Sequence, residues 1–169
     1  MRKTTRELTH AAAIAALYVI LTYLQNFLLP GSASAAIQCR ISEALCVFAL
    51  FTPSAVWGLS LGCLLFNLSY SAALPLDWFV GTAATVLAAI SMHWLRNLRI
   101  AKLPLLALLM PAVFNALLVG AELTVYIGES PYWLNALYVG LGESIVLLTL
   151  GSLLYFALLP LREKLFGGQ

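Results

Sequence analysis

The sequence predicts an all-α, polytopic membrane protein: one domain folded as a bundle of six transmembrane helices, with both termini in the cytoplasm. Three observations carry that reading. Hydrophobic residues make up 62% of the 169 positions and charged ones only 9%, at a mean hydropathy of +0.95, whereas a soluble domain carries roughly 25% charged residues. The apolar residues gather in runs long enough to cross a hydrocarbon core of roughly 30 Å. Lys and Arg sit at the ends of those runs, in an order that sets their direction across the membrane.

Taken in order, the spans fall at about 8–29, 41–51, 53–70, 78–95, 103–127 and 132–160. The apolar part of the first, 11–29, has a signal peptide's position. At about 19 residues it is long enough to span, and it lacks a clean small-residue cleavage site, so it is read as retained. As one helix, 41–70 would be about 45 Å long at 1.5 Å per residue, too long for one crossing. Thr52-Pro53 in its middle reads as an N-cap followed by a first-turn proline, which divides it into two short helices. Pro111 is expected to kink the fifth helix. Ser130-Pro131 repeats the cap-and-proline start for the sixth, and Pro160 ends it, leaving a short polar tail.

Loop charge tests the count. With six spans, Arg2, Lys3, Arg6, Arg96, Arg99, Lys102, Arg162 and Lys164 all lie inside and only Arg40 outside. Five spans would put the 96–102 cluster opposite the N-terminal one, against the positive-inside rule. A net charge of +2 points to no nucleic acid. Cys39, Cys46 and Cys63 have no disulfide or metal spacing, and His10 and His93 sit near the ends of different segments, so no metal or cofactor is expected. No phosphate-binding glycine loop is present, and no enzymatic activity is read from the chain.

Candidate functional residues concentrate in 114–144, where nearly the same phrase occurs twice: Asn-Ala-Leu-Leu-Val-Gly-Ala-Glu at 115–122 and Asn-Ala-Leu-Tyr-Val-Gly-Leu-Gly-Glu at 135–143. Each copy places an amide and a carboxylate inside a membrane span, where ionisable groups are costly and mark function. Helix rise puts Glu122 about 9 Å and Asn115 about 20 Å below the outer surface, with Asn135 at about 5 Å and Glu143 at about 16 Å. The two helices run antiparallel, so Glu122 lies near the level of Asn135, and Asn115 near that of Glu143. Arg40, Glu43, Asn67 and Trp78 join them in the outer half. A channel or proton wire needs polar groups at all depths. A blind pocket open to the outside fits better. Acids, amides and the aromatics Trp78, Tyr132, Trp133 and Tyr138 suit a flat, donor-rich, cationic ligand.

Plainer readings stand beside these. The intramembrane Asn and Glu side chains can satisfy one another across helices five and six. Arg40 and Glu43, three residues apart, can form a local ion pair. Trp78, Tyr132 and Trp133 can be an interfacial belt instead of a lid. On the first helix, Ala11/Ala15 and Ala12/Ala16 give small residues at four-residue spacing, which lets another helix approach closely, from a partner subunit or from the same chain.

Gln38-Cys39-Arg40-Ile41-Ser42-Glu43-Ala44-Leu45, Phe51-Thr52-Pro53, Gly62-Cys63-Leu64, Asn67, Asp77 and Gly81-Thr82 resemble the QueT family of queuosine-precursor transporters, as do 115–122 and 133–143. The resemblance runs from about residue 11 to 160. It implies an S component of an energy-coupling factor (ECF) transporter: a six-helix plasma-membrane subunit in the lipid bilayer that captures a vitamin-like ligand. A coupling transmembrane subunit and two ATPase subunits would drive uptake, with Ala11, Ala12, Ala15 and Ala16 docking on the coupling subunit. The implied ligand is the pre-queuosine base, an aminomethyl-deazaguanine. Its guanine-like edge and its cationic aminomethyl group each want an acid, with Glu122 and Glu143 first and Glu43 third. Asn67 and Asn115 would read the remaining edge, and Trp133 and Trp78 would stack. Gln38, Arg40, Asn135 and Tyr138 complete the expected site. Another nucleobase- or vitamin-like ligand, or a stand-alone proton-coupled carrier, are the alternatives.

Overall fold

A chain surrounded by lipid must satisfy its backbone groups within itself, and helices do so inside one segment. The computed structural model describes residues 3–30, 32, 39–70, 74–100, 102–128 and 130–167. It contains α1 (Lys3–Leu28), a 3-10 helix (Ile41–Leu50), α2 (Ser54–Ser69), α3 (Asp77–Leu95), α4 (Leu105–Leu108), α5 (Met110–Ile127) and α6 (Tyr132–Val146). A π turn, Leu147–Gly151, joins α6 to α7 (Ser152–Leu158), and a 3-10 turn, Leu159–Leu161, leads into α8 (Arg162–Phe166). Four stretches are long and apolar enough to cross a membrane: Thr4–Leu28, Asp77–Leu95, Leu105–Tyr126 and Tyr132–Phe166. The other two expected spans, Ile41–Leu50 and Ser54–Ser69, are apolar but shorter. The chain is an all-α membrane protein.

α1 packs on α2, α2 on α3, α3 on α5 and α5 on α6, and the 3-10 helix touches α1, α2, α3, α6 and the π turn. Eight of its ten residues are buried. An α-helix is expected over 41–51, and the 3-10 form differs in reach. At about 2.0 Å per residue it covers about 20 Å where an α-helix of ten residues covers about 15 Å. It also stacks residues three apart, so Cys46 Sγ donates to Glu43 Oε2 at 3.2 Å. One turn on, the Ala49 carbonyl meets His93 Nδ1 at 2.9 Å.

The proline signals act locally. Thr52 Oγ1 accepts the Ser54 N–H at 3.2 Å at the start of α2. The fifth apolar run breaks at Leu109, with Pro111 in the first turn of α5. Pro131, in extended conformation, precedes α6. Where a polar tail is expected after Pro160, the chain forms α8 instead. Its Phe166 packs among His10, Phe48 and Phe51, and Arg6 donates to the Leu165 and Gly167 carbonyls.

The doubled phrase sets the α5–α6 crossing. A Cβ on Gly120 would lie 2.8 Å from Ala136 Cα, and one on Gly140 would lie 3.3 Å from Ala116 Cβ. The alanine of each copy thus faces the glycine of the other. We expect Gly120→Ala to lower the thermal midpoint in detergent. Backbone stands in its way, and such overpacking costs roughly 1–3 kcal/mol. Gly140→Ala meets the Ala116 methyl at 3.3 Å, a contact that a shift of a few tenths of an ångström relieves, and gains about 1 kcal/mol of helix propensity, so its midpoint should fall less than that of Gly120→Ala. Equal midpoints in the two variants would contradict this crossing.

A second crossing divides the alanine pairs of α1. Cβ atoms on Gly58 and Gly62 of α2 would meet the Ala11 and Ala15 carbonyls at 2.6 and 3.0 Å. Ala15 is buried there, whereas Ala12 and Ala16 are exposed.

Candidate ligand-binding site

The site is built on a polar stripe of α1. Tyr18, Thr22, Gln25 and Asn26 recur at helical spacing on one face, and all four are buried. Tyr18 Oη donates to Glu43 Oε1 at 2.5 Å, and the Thr22 and Ser42 hydroxyls share a bond at 2.7 Å. Gln25 clamps the start of the 3-10 helix: its Oε1 accepts the Ile41 N–H at 2.7 Å, and its Nε2 donates to the Cys39 carbonyl at 2.6 Å. This grip fixes residues 39–43, and with them Arg40 and Glu43.

Arg40 pairs across to the start of α3. Its Nη2 donates to Asp77 Oδ2 at 2.9 Å, with the two side chains only 5% and 7% exposed. Asn67 of α2 donates to the Asp77 carbonyl at 2.9 Å. A Cβ on Gly81 would lie 2.6 Å from Asp77 Oδ1 and 3.0 Å from Asn67 Nδ2, so the glycine makes room for the pair. Arg40 also lies within electrostatic reach of Glu43, Glu122 and Glu143.

The α5–α6 crossing brings in the doubled phrase. Glu122 and Asn115 of α5 and Glu143 of α6 are all buried, Glu143 completely. Asn115 stands close enough to Glu143 to interact with it, but neither Glu143 oxygen meets hydrogen-bond geometry to any group. Among the described residues, the buried side-chain N and O atoms without a hydrogen-bond partner are Asn26 Oδ1, Asn67 Oδ1, Asp77 Oδ1 and both carboxylate oxygens of Glu122 and Glu143. With the acids ionised, every one is an acceptor. Among the described residues, four buried acids (Glu43, Asp77, Glu122 and Glu143) stand against one buried base, Arg40. Buried charge is stable only when paired and hydrogen-bonded. The cluster is therefore complementary to N–H donors and positive charge.

Other expected members stand apart. Asn135 is buried, but its Nδ2 donates to Thr124 Oγ1 at 3.0 Å and to the Ser130 carbonyl at 3.4 Å, tying the start of α6 to the end of α5. Trp78 and Trp133 are 45% and 65% exposed, and Tyr138 is exposed as well. Gln38 lies outside the described residues. Conversely, Tyr18, Gln25, Asn26 and Asp77 join the site without being expected there. The 18–22–25–26 stripe of hydrogen-bonding groups on an apolar helix was the available signal for the first three.

A family model described as QueT transporter matches residues 8–160. No curated protein and no solved structure matches the chain.

Proposed function

Since the chain belongs to the QueT transporter family, and is thus a membrane transporter, we propose that it is the substrate-binding S component of an ECF-type importer that captures the aminomethyl-deazaguanine pre-queuosine base from outside the cell. The observation that carries this reading is the pair of buried, partnerless carboxyl groups, Glu122 and Glu143, within electrostatic reach of Arg40. The base offers a row of ring and amino N–H donors at one end and an ammonium at the other, which are what such a pair lacks. Glu122 and Glu143 take the two donor ends, Glu43 supports them through Tyr18, and Asn67 and Asn115 read the remaining edge. Trp78, Trp133, Tyr138 and Asn135 belong to the mouth, and Arg40 to the buried cluster itself. The distribution of Lys and Arg supports cytoplasmic termini in the plasma membrane, with the site facing out. The test is thermal unfolding of the purified protein with the base against guanine, adenine and thiamin. A large, saturable rise is expected with the base alone. A larger rise with one of the others would reassign the ligand.

For docking on a coupling subunit, the exposed pair Ala12/Ala16 serves. It borders an apolar groove between α1 and α2 with Val19, Ile20, Leu61 and Leu65. Ala12→Trp or Ala16→Trp is expected to stop uptake in cells while leaving the ligand-induced thermal shift intact. Ala15→Trp, aimed at Gly62, should damage the fold instead. Normal uptake in the first two variants would remove this surface from the coupling reaction.

A stand-alone proton-coupled carrier is the second reading, favoured by the same partnerless intramembrane glutamates. Uptake by this chain alone in proteoliposomes under a proton gradient would establish it. Uptake only with a coupling subunit and two ATPases would support the first reading.

A further inference from the structure

At the end of the bundle away from the acceptor cluster, a cavity of about 270 Å³ opens between the ends of the 3-10 helix and α3 and the segment leading into α8. Its wall is aromatic. Phe51 stacks on Tyr155 at 5.6 Å and on Phe166 at 5.8 Å between ring centroids. Its rim carries Arg96, Arg99 and Arg162. Arg96 donates to the His93 carbonyl at 2.6 Å, a local role at the end of α3. Arg99 has no such role: its side chain makes no hydrogen bond or ion pair among the described residues. The turn that follows holds its backbone, with Ile100 and Leu103 exchanging N–H···O bonds at 2.8 and 3.1 Å and Lys102 at φ 74°. The one acid on the rim, Glu163, meets Arg162 at 3.8 Å with both side chains more than half exposed, a loose pair that water screens.

We propose that this cavity binds the phosphate of an anionic phospholipid. Arginine forks suit phosphate oxygens in bidentate geometry, and basic pockets at the ends of membrane helices take anionic headgroups. The aromatic wall distinguishes a lipid from a free anion, because it offers apolar surface to the glycerol and the first acyl methylenes. Leu161 and Leu165, exposed on the same segment, extend that surface outward.

The test titrates the full-length protein in neutral detergent with short-chain phosphatidylglycerol, short-chain phosphatidylcholine and inorganic phosphate, reading bound lipid by native mass spectrometry and stability by thermal unfolding. Phosphatidylglycerol should bind saturably and phosphatidylcholine should not. Removing two arginines in R99Q/R162Q should weaken binding about 30-fold. K102Q/K164Q, which removes the same charge outside the cavity, should weaken it less than about 3-fold. Both variants change exposed side chains, and their unliganded midpoints check that the fold holds. Equal weakening in the two would show diffuse attraction and overturn the site. So would the absence of saturable phosphatidylglycerol binding. An equal response to inorganic phosphate would make it a free-anion site and overturn the lipid assignment.

Discussion

Glu143→Gln is expected to abolish capture of the aminomethyl-deazaguanine base while leaving the unliganded protein no less stable. Glu143 is 0% exposed, and neither of its oxygens has a hydrogen-bond partner, so its carboxylate is free to serve a ligand. Removing one partner of a buried, hydrogen-bonded charge pair costs about 2–5 kcal/mol, which raises Kd by roughly 30-fold or more. Stability should move the other way. A lone buried carboxylate opposes folding, and an amide of the same size opposes it less. Glu122→Gln should behave likewise. Glu43→Gln should not, because Glu43 already accepts from Tyr18 and Cys46 and its loss leaves those donors poorly matched. Thermal unfolding of the three variants with and without the base separates the cases. If Glu143→Gln and Glu122→Gln keep the full ligand-induced shift, or if their unliganded midpoints fall as Glu43→Gln's does, these acids are structural and the site lies elsewhere.

What the sequence made legible follows from where each piece of information is stored. Helical character was plain, because long apolar runs leave lipid-exposed backbone no other choice. The antiparallel facing of the two copies of the doubled phrase also followed, since rise per residue is fixed: Gly120 lies against Ala136 and Gly140 against Ala116. The hydrogen-bond register inside an apolar helix was not legible: the 3-10 segment Ile41–Leu50 is as hydrophobic as any α-helix, and the π turn Leu147–Gly151 lies within one long apolar run, Tyr132–Phe166. Long-range partners were hidden as well. Local spacing offered Glu43 to Arg40, yet Arg40 sits in extended backbone before the helix and reaches Asp77, thirty-seven residues on. The doubled phrase held more than its polar residues showed. Its Ala and Gly, four apart in each copy, form the crossing that carries the glutamates inward. The tail held one usable clue, Phe166, an aromatic residue among charges that packs under the bundle.

Arg40→Met is expected to destabilise the protein by about 3–5 kcal/mol, the range for breaking a buried ion pair from one side. The loss arises mainly from what remains. Asp77 stays buried with Oδ1 already partnerless, and Glu43, Glu122 and Glu143 lose the one buried cation within their reach. If Asp77 dominates, removing its charge as well should restore stability, because an ion pair replaced whole by apolar groups is often neutral. Arg40→Met/Asp77→Leu should then regain at least half of what Arg40→Met loses, read from thermal midpoints in one detergent. If the other three acids dominate, the double variant stays as unstable as the single one, and a cationic ligand becomes the remaining source of compensation. The ligand-induced shift in Arg40→Met decides between these: it grows when the ligand takes over Arg40's charge, and is unchanged when Arg40 serves Asp77 alone. A shift that vanishes would place Arg40 in direct contact with the ligand, as a wall of the pocket instead of its counter-charge.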